Sequence, residues 1–250
     1  MGDSLSGAYV ASMRSEIQME QAGANRARVA LIASVLLTVL LYAMPMGEMI
    51  AYPLVLLSTL AHELGHGLTA SLTGGSFEQF VLYPDGSGRA TWSGEAGRIQ
   101  RALVSMGGLV GPAAVGAAIF AIGRNPKLTK TAMAFIGGCL ILADILIVRN
   151  WFGFFFIGLV GAVSLFVGLR GSKETCQWLA YFIGVQLALS VFSRSDYLFV
   201  QYAETAEGRM PSDVQQMADA LFLPYWIWGA VCGALSLGCL VFGLVVALRK

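Results

Sequence analysis

The stretch Ala61-His62-Glu63-Leu64-Gly65-His66-Gly67 lies inside an apolar run, 51–72, that is long enough to cross a bilayer. Two imidazoles four positions apart on a helix share one face and lie one turn apart, the spacing that lets both reach a single zinc ion. Glu63 sits on the flank of that face, so it can activate a water held by the metal without being a ligand, as the general base of a zinc hydrolase does. The chain has only two histidines, and both are in this motif. The plain alternative, two core histidines satisfied by carbonyls, fits poorly with the cost of placing ionisable groups at membrane depth without a task.

Composition identifies the solvent. Of 250 residues, 56% are hydrophobic and only 12% charged, which excludes a soluble domain and indicates a multi-span, all-α membrane protein with the lipid bilayer around it. A net charge of +1 gives no electrostatic basis for binding nucleic acid. Cys139, Cys176, Cys232 and Cys239 stand singly in apolar runs, so neither a disulfide frame nor a thiolate metal site is indicated.

Read along the chain, residues 1–28 mix charged and small polar residues and form an extramembrane segment, followed by a single transmembrane domain over 29–250. Apolar runs at 29–43, 51–72, 99–122, 131–148, 151–169, 176–192 and 223–248 predict a bundle of about seven transmembrane helices. His62, about 12 residues into the second run, then lies roughly 18 Å into a hydrocarbon layer about 30 Å thick. Hydrolysis at that depth requires a polar cavity enclosed by neighbouring helices. Gly107 and Gly111 in the third run form a G-x-x-x-G pair suited to close helix approach, and Pro112 interrupts the same helix.

Between the second and third runs, β-rich segments flank Pro84-Asp85-Gly86-Ser87-Gly88 and predict a membrane-associated hairpin at about 76–93, with Phe77, Phe80, Tyr83 and Trp92 as interface anchors. Its free edge could receive an unwound substrate by strand addition. Asp144, the one acid in the fourth and fifth runs, is a ligand, a proton carrier or a partner of Arg149. Asn150, at the end of a span, is a candidate for oxyanion or substrate contact, or a cap. The longest polar interval, about 193–221, contains a helix start with Ser212 as cap and acids in the first turn. A zinc site needs a third protein ligand, and with no histidine left a carboxylate has to supply it.

The H-E-L-G-H motif in a span, Gly74-Gly75, the hairpin and Gly111-Pro112 together resemble the site-2 protease class of intramembrane zinc metallopeptidases. The nearer resemblance, over about 50–245, is to the compact bacterial peptidase M50B-like branch, through Pro84-Asp85-Gly86-Ser87-Gly88, Arg149-Asn150-Trp151-Phe152-Gly153 and Ser212-Asp213-Val214. The resemblance implies cleavage of a membrane-protein substrate by a multi-pass protein of the bacterial inner membrane, with His62 and His66 as Zn2+ ligands, Glu63 as base and an aspartate completing the site. Asp213 is the first choice for that aspartate, Asp196 the second and Asp144 the third. Two departures stand out. The L-D-G sequence of better-known site-2 proteases is absent, and Val115 stands where an asparagine usually follows the Gly-Pro pair. A metal-ion transporter would also bury His and Asp in a membrane cavity, but it should show half-chain repeats, and none is found. A catalytically inactive membrane scaffold of the same fold would lose a ligand, whereas His62, Glu63 and His66 are all present.

Overall fold

The structure, a computed structural model, describes residues 13–14, 25, 28–41, 43–94, 97–193 and 198–248. The predicted polar segment 1–28 lies almost wholly outside them. In chain order the elements are α1 (Arg28–Leu41), then α2 (Gly47–Leu72), β1 (Ser76–Leu82), β2 (Gly88–Ser93), α3 (Arg98–Gly123), α4 (Pro126–Ile147), α5 (Trp151–Arg170) and α6 (Lys173–Ser193). They continue with β3 (Tyr202–Thr205), β4 (Gly208–Pro211), α7 (Asp213–Leu221) and α8 (Tyr225–Leu248).

The helix ends follow local chemistry. At the end of α2 the Thr73 and Gly75 amides donate back to the Ala70 carbonyl, and Gly74 takes a left-handed φ of 92° that a side chain would resist. At the start of α4 the Asn125 side chain accepts from the amides of Lys127 and Leu128, with Pro126 in the first turn where its missing N–H costs nothing.

Among the described residues four helices, α3, α4, α5 and α8, are long and apolar enough to cross a membrane. The chain is an integral membrane protein. Helices also stand at the other three expected positions. Those of α2 and α6 are long enough, at 26 and 21 residues, but carry polar groups such as Thr59, His62 and Glu63 in one and Gln177 and Gln186 in the other. α1 covers only about 21 Å, short of a hydrocarbon layer of about 30 Å. Its first residue donates from Arg28 Nη2 to the Leu248 carbonyl at 3.0 Å, and Ala30 and Ala247 share one buried cluster. The start of α1 and the end of α8 therefore lie together, and of the seven expected spans four are confirmed as long and apolar enough.

The predicted hairpin is β1 paired antiparallel with β2, with Phe80 opposite Ala90 and Leu82 opposite Gly88. Phe80 is not an interface anchor. It is buried with Leu56, Leu60, Leu82 and Ile157 in a core that clamps the hairpin to α2 and α5. The outer edge of β1 is closed: the Arg149 amide donates to the Phe80 carbonyl at 3.0 Å, and the Asn150 side chain accepts from the Leu82 amide and donates to the Leu82 carbonyl. A second hairpin, β3 with β4, occupies the interval read from sequence as polar loop, so the fold is helical with two small sheets rather than strictly all-α with one.

Close packing of α2 on α3 depends on the absence of side chains. A Cβ on Gly65 would lie 2.2 Å from the Gly107 carbonyl oxygen, and one on Gly107 would lie 2.0 Å from Thr69 Oγ1. α7 is held against α3 and α8 by Val214 and Met217, both fully buried with Leu109, Ala113 and Cys232. Gly65→Ala gains about 1 kcal/mol of helix propensity but must push two backbones apart, so a net loss of about 1–2 kcal/mol is expected. Gly138→Ala, whose Cβ meets nothing within 4 Å, should be neutral or stabilising. Unfolding of both variants in detergent checks the contrast; equal stabilities would remove the steric argument.

Candidate metal centre

His62 and His66 lie one turn apart on α2, their rings perpendicular with centroids 4.7 Å apart and their Nε2 atoms separated by 3.1 Å. His66 Nδ1 is 2.8 Å from the Val104 carbonyl oxygen, which accepts only, so Nδ1 carries the proton and Nε2 the lone pair. Asp213 Oδ2 stands 3.1 Å from His62 Nε2, and Asp213 Oδ1 stands 3.4 Å from His66 Nε2. One ligand atom from each of the three residues lies within 4.8 Å of the others, close enough for all three to reach one ion at bond lengths of about 2.0–2.2 Å. When the His66 ring is neutral its Nε2 lone pair faces a carboxylate oxygen, an arrangement a cation between them relieves, and the donor set of two imidazoles and one carboxylate is one that zinc accepts.

Asp213 reaches this point because of how α7 begins. Ser212, fully buried, accepts at its side chain from the Gln215 amide, donates its hydroxyl to the Val200 carbonyl at 2.6 Å and its amide to the Gln201 carbonyl at 2.9 Å. Those bonds fix the first turn, where the helix dipole also favours a carboxylate.

Glu63 is buried on the flank of α2, and its Oε2 accepts the Ala90 amide of β2 at 2.6 Å. Gly88 permits that approach, since a Cβ there would fall 2.8 Å from Glu63 Cγ and from Thr59 Cγ2. Thr59 and Tyr52 donate their hydroxyls to the Gly86 and Pro84 carbonyls, which fastens the hairpin turn along the same helix. The result is a cavity of about 440 Å³ floored by Ser58, Thr59, His62 and Glu63 and walled by the turn of the first hairpin and by β3 of the second.

Of the residues singled out in the sequence, His62, His66 and Asp213 come together, the one such group among the described residues, and Glu63 borders them. Asp196 lies outside the described residues. Asp144 is buried at the α4/α5 contact, its Oδ2 3.0 Å from where a Cβ on Gly158 would stand, and its Oδ1 has no hydrogen-bond partner. The expected pairing with Arg149 is not formed; that guanidinium bonds to the carbonyls of Val148 and Leu146. Asn150 is committed to the Leu82 backbone and does not line the cavity. Sequence reasoning missed Val104 and Ala90, whose contributions are backbone groups without a side-chain signature, and Gly108, against which the His66 ring packs.

A family model described as Peptidase M50B-like matches residues 29–243. The chain belongs to this family. The match spans the motif helix, both hairpins and α7, so all four residues of the site fall within the M50B-like region. It also agrees with the site-2 protease class to which the motifs point. No curated protein and no solved structure matches the chain.

In this M50B-like site a Cβ on Gly108 would stand 2.2 Å from His66 Cε1. Gly108→Ala should therefore turn the His66 ring off its Val104 bond and weaken metal binding about 10- to 100-fold, the range found for disturbed ligand orientation. Competition for zinc against a chromophoric chelator measures it, and unchanged affinity would show that the ring position is not critical.

Proposed function

We propose that this protein is an intramembrane zinc metalloprotease that hydrolyses peptide bonds of membrane-spanning substrates. The observation that supports this most directly is the convergence of His62, His66 and Asp213, with His62 and the buried Glu63 on the floor of one cavity. Family membership supports a peptidase, and the apolar helices support a membrane location. The resemblance to the compact bacterial branch supports placement in a bacterial inner membrane.

His62, His66 and Asp213 would hold the ion through Nε2, Nε2 and a carboxylate oxygen. Zinc bound there supplies a Lewis acid that brings the pKa of a water near 7. Glu63 takes a proton from the attacking water as the C–O bond forms at the scissile carbonyl, and delivers it to the amide nitrogen as the C–N bond breaks. The Ala90 amide holds Oε2 of Glu63, so the carboxylate keeps one orientation through both transfers. Burial of Glu63 keeps bulk water from competing for that proton.

The hairpin orders the substrate. Arg149 and Asn150 occupy the outer edge of β1, while Gly88 at the start of β2 faces the cavity and the Ala90 amide points to Glu63. An unwound segment entering the cavity therefore meets β2, where strand addition would hold its peptide bonds extended beside the base.

Glu63→Gln should retain stoichiometric zinc and lose cleavage by about 100- to 10,000-fold, the usual worth of a general base. Asp213→Ala should lose the metal as well, whereas Asp144→Ala should keep both metal and activity. Metal analysis of the purified proteins, with cleavage of a reconstituted membrane-spanning substrate, tests all three. Wild-type protein that binds no zinc would refute the reading.

A further inference from the structure

The second hairpin has two attachments of unlike strength, and this difference has consequences for access to the cavity. Its base is held by burial: Ser212 is fully buried, and Leu198 and Val214 on either side of the hairpin sit in the core with Leu109, Ala113 and Cys232, while Ser212 closes the two legs on each other through the Val200 and Gln201 carbonyls. Its tip, the two-residue turn at Ala206 and Glu207, reaches across to the first hairpin. The Glu207 carboxylate pairs with the Arg89 guanidinium and accepts the Tyr83 hydroxyl, and the Ala206 amide donates to Ser87 Oγ at 3.3 Å. The hydrogen bond to Glu207 also keeps the proton on the Tyr83 phenol, whose pKa lies above its ordinary value.

Between these attachments β3 forms one wall of the cavity through Tyr202, Ala203, Glu204 and Thr205, and the turn residues Gly86, Ser87 and Gly88 form the facing wall. The two walls are thus parts of separate sheets, joined above the cavity by side chains rather than by a strand ladder. Arg89 keeps 44% of its side chain exposed and Glu207 26%, so water competes for the pair, and a water-exposed ion pair of this kind is readily broken. A firm base and a weak tip make a lid that swings from Ser212.

We propose that Glu207 is the latch of a lid: its contacts with Arg89 and Tyr83 close β3–β4 over the cavity, and their release admits the substrate segment to Glu63. The proposal rests on the protease reading for the identity of what enters, but the closure itself does not. Because the base of the lid is the residue before Asp213, the swing is confined to the hairpin that precedes Ser212; a wholesale displacement would take the carboxylate away from both imidazoles. The breakable tip and the buried base allow opening with the ligand left in place.

The test measures entry into the cavity without depending on activity. Ser58 lines the floor, so the full-length protein carrying Ser58→Cys is treated with a small, uncharged, water-soluble thiol reagent, and labelling is followed peptide by peptide by mass spectrometry. Lys127→Cys, at an exposed position in the first turn of α4 and so at the end of that span, is carried in the same protein as the internal control. Adding Glu207→Arg, which sets like charges against each other, should raise the labelling rate at position 58 at least about fivefold with no change at position 127. The exchanged pair Arg89→Glu with Glu207→Arg should return it to within about twofold of the parent. Tyr83→Phe and Glu207→Gln give smaller increases and serve if the charge reversal lowers the melting temperature. Rates that stay the same in every latch variant, or an exchanged pair as fast as the single reversal, would overturn the latch. Absence of zinc binding and cleavage in the parent, with labelling rates that still follow the latch, would sink the protease reading alone.

Discussion

Ligand atoms of His62, His66 and Asp213, from distant parts of the chain, meet within 4.8 Å of one another inside an apolar bundle, and the rest of the structure is arranged so that they can. Such a meeting is costly to hold, because a buried polar group that misses its partner loses about 1–3 kcal/mol, and more if it is charged. Each atom is therefore fixed by something rigid. His66 is oriented by the Val104 carbonyl across a helix contact that glycines bring close, and Asp213 by a helix start seated in the core around Met217. The α2/α3 contact and the seating of α7 on α3 share one helix, so α3 is the common reference for ligands on either side of it.

The hairpins meet a second demand of the same setting. An open sheet edge in a lipid environment leaves backbone groups unsatisfied, and such edges are tolerated only where protein or a watered cavity covers them. Here β1 is closed by the Arg149 amide and the Asn150 carboxamide, and at Ala90 the amide of β2 is taken by Glu63. The Arg-Asn pair between spans thus has a structural task, to terminate the sheet on its far side.

How much of this was legible in the sequence depended on the range of the interaction. Helix positions, the first hairpin and the His62/Glu63/His66 grouping are set by neighbours within a few residues, and periodicity, composition and spacing expose them. The Ser212 cap was legible for the same reason. That Asp213, rather than Asp144, stands beside the two imidazoles depends on long-range packing that no local pattern encodes. β3–β4 was missed because its strands are four residues each, largely exposed, and lack an apolar alternation. Phe80 misled because an aromatic near a membrane reads as an interface anchor, and Asp144 because a nearby arginine reads as its partner. For α1, apolarity alone does not reveal that the helix starts beside the end of α8.

One segment, 198–213, performs three tasks that are often divided among separate elements: it walls the cavity, carries the contact to the first hairpin and delivers the carboxylate. Its two ends differ in the way those tasks require. The carboxylate end is buried and held by backbone bonds, so it gains nothing by moving and would leave charges unpaired if it did. The hairpin tip is exposed and held by an ion pair and a phenol, so its release exposes few groups that water cannot satisfy. A segment that carries a buried carboxylate at one end can move without loss only where water already reaches, and Glu207 lies at such a place.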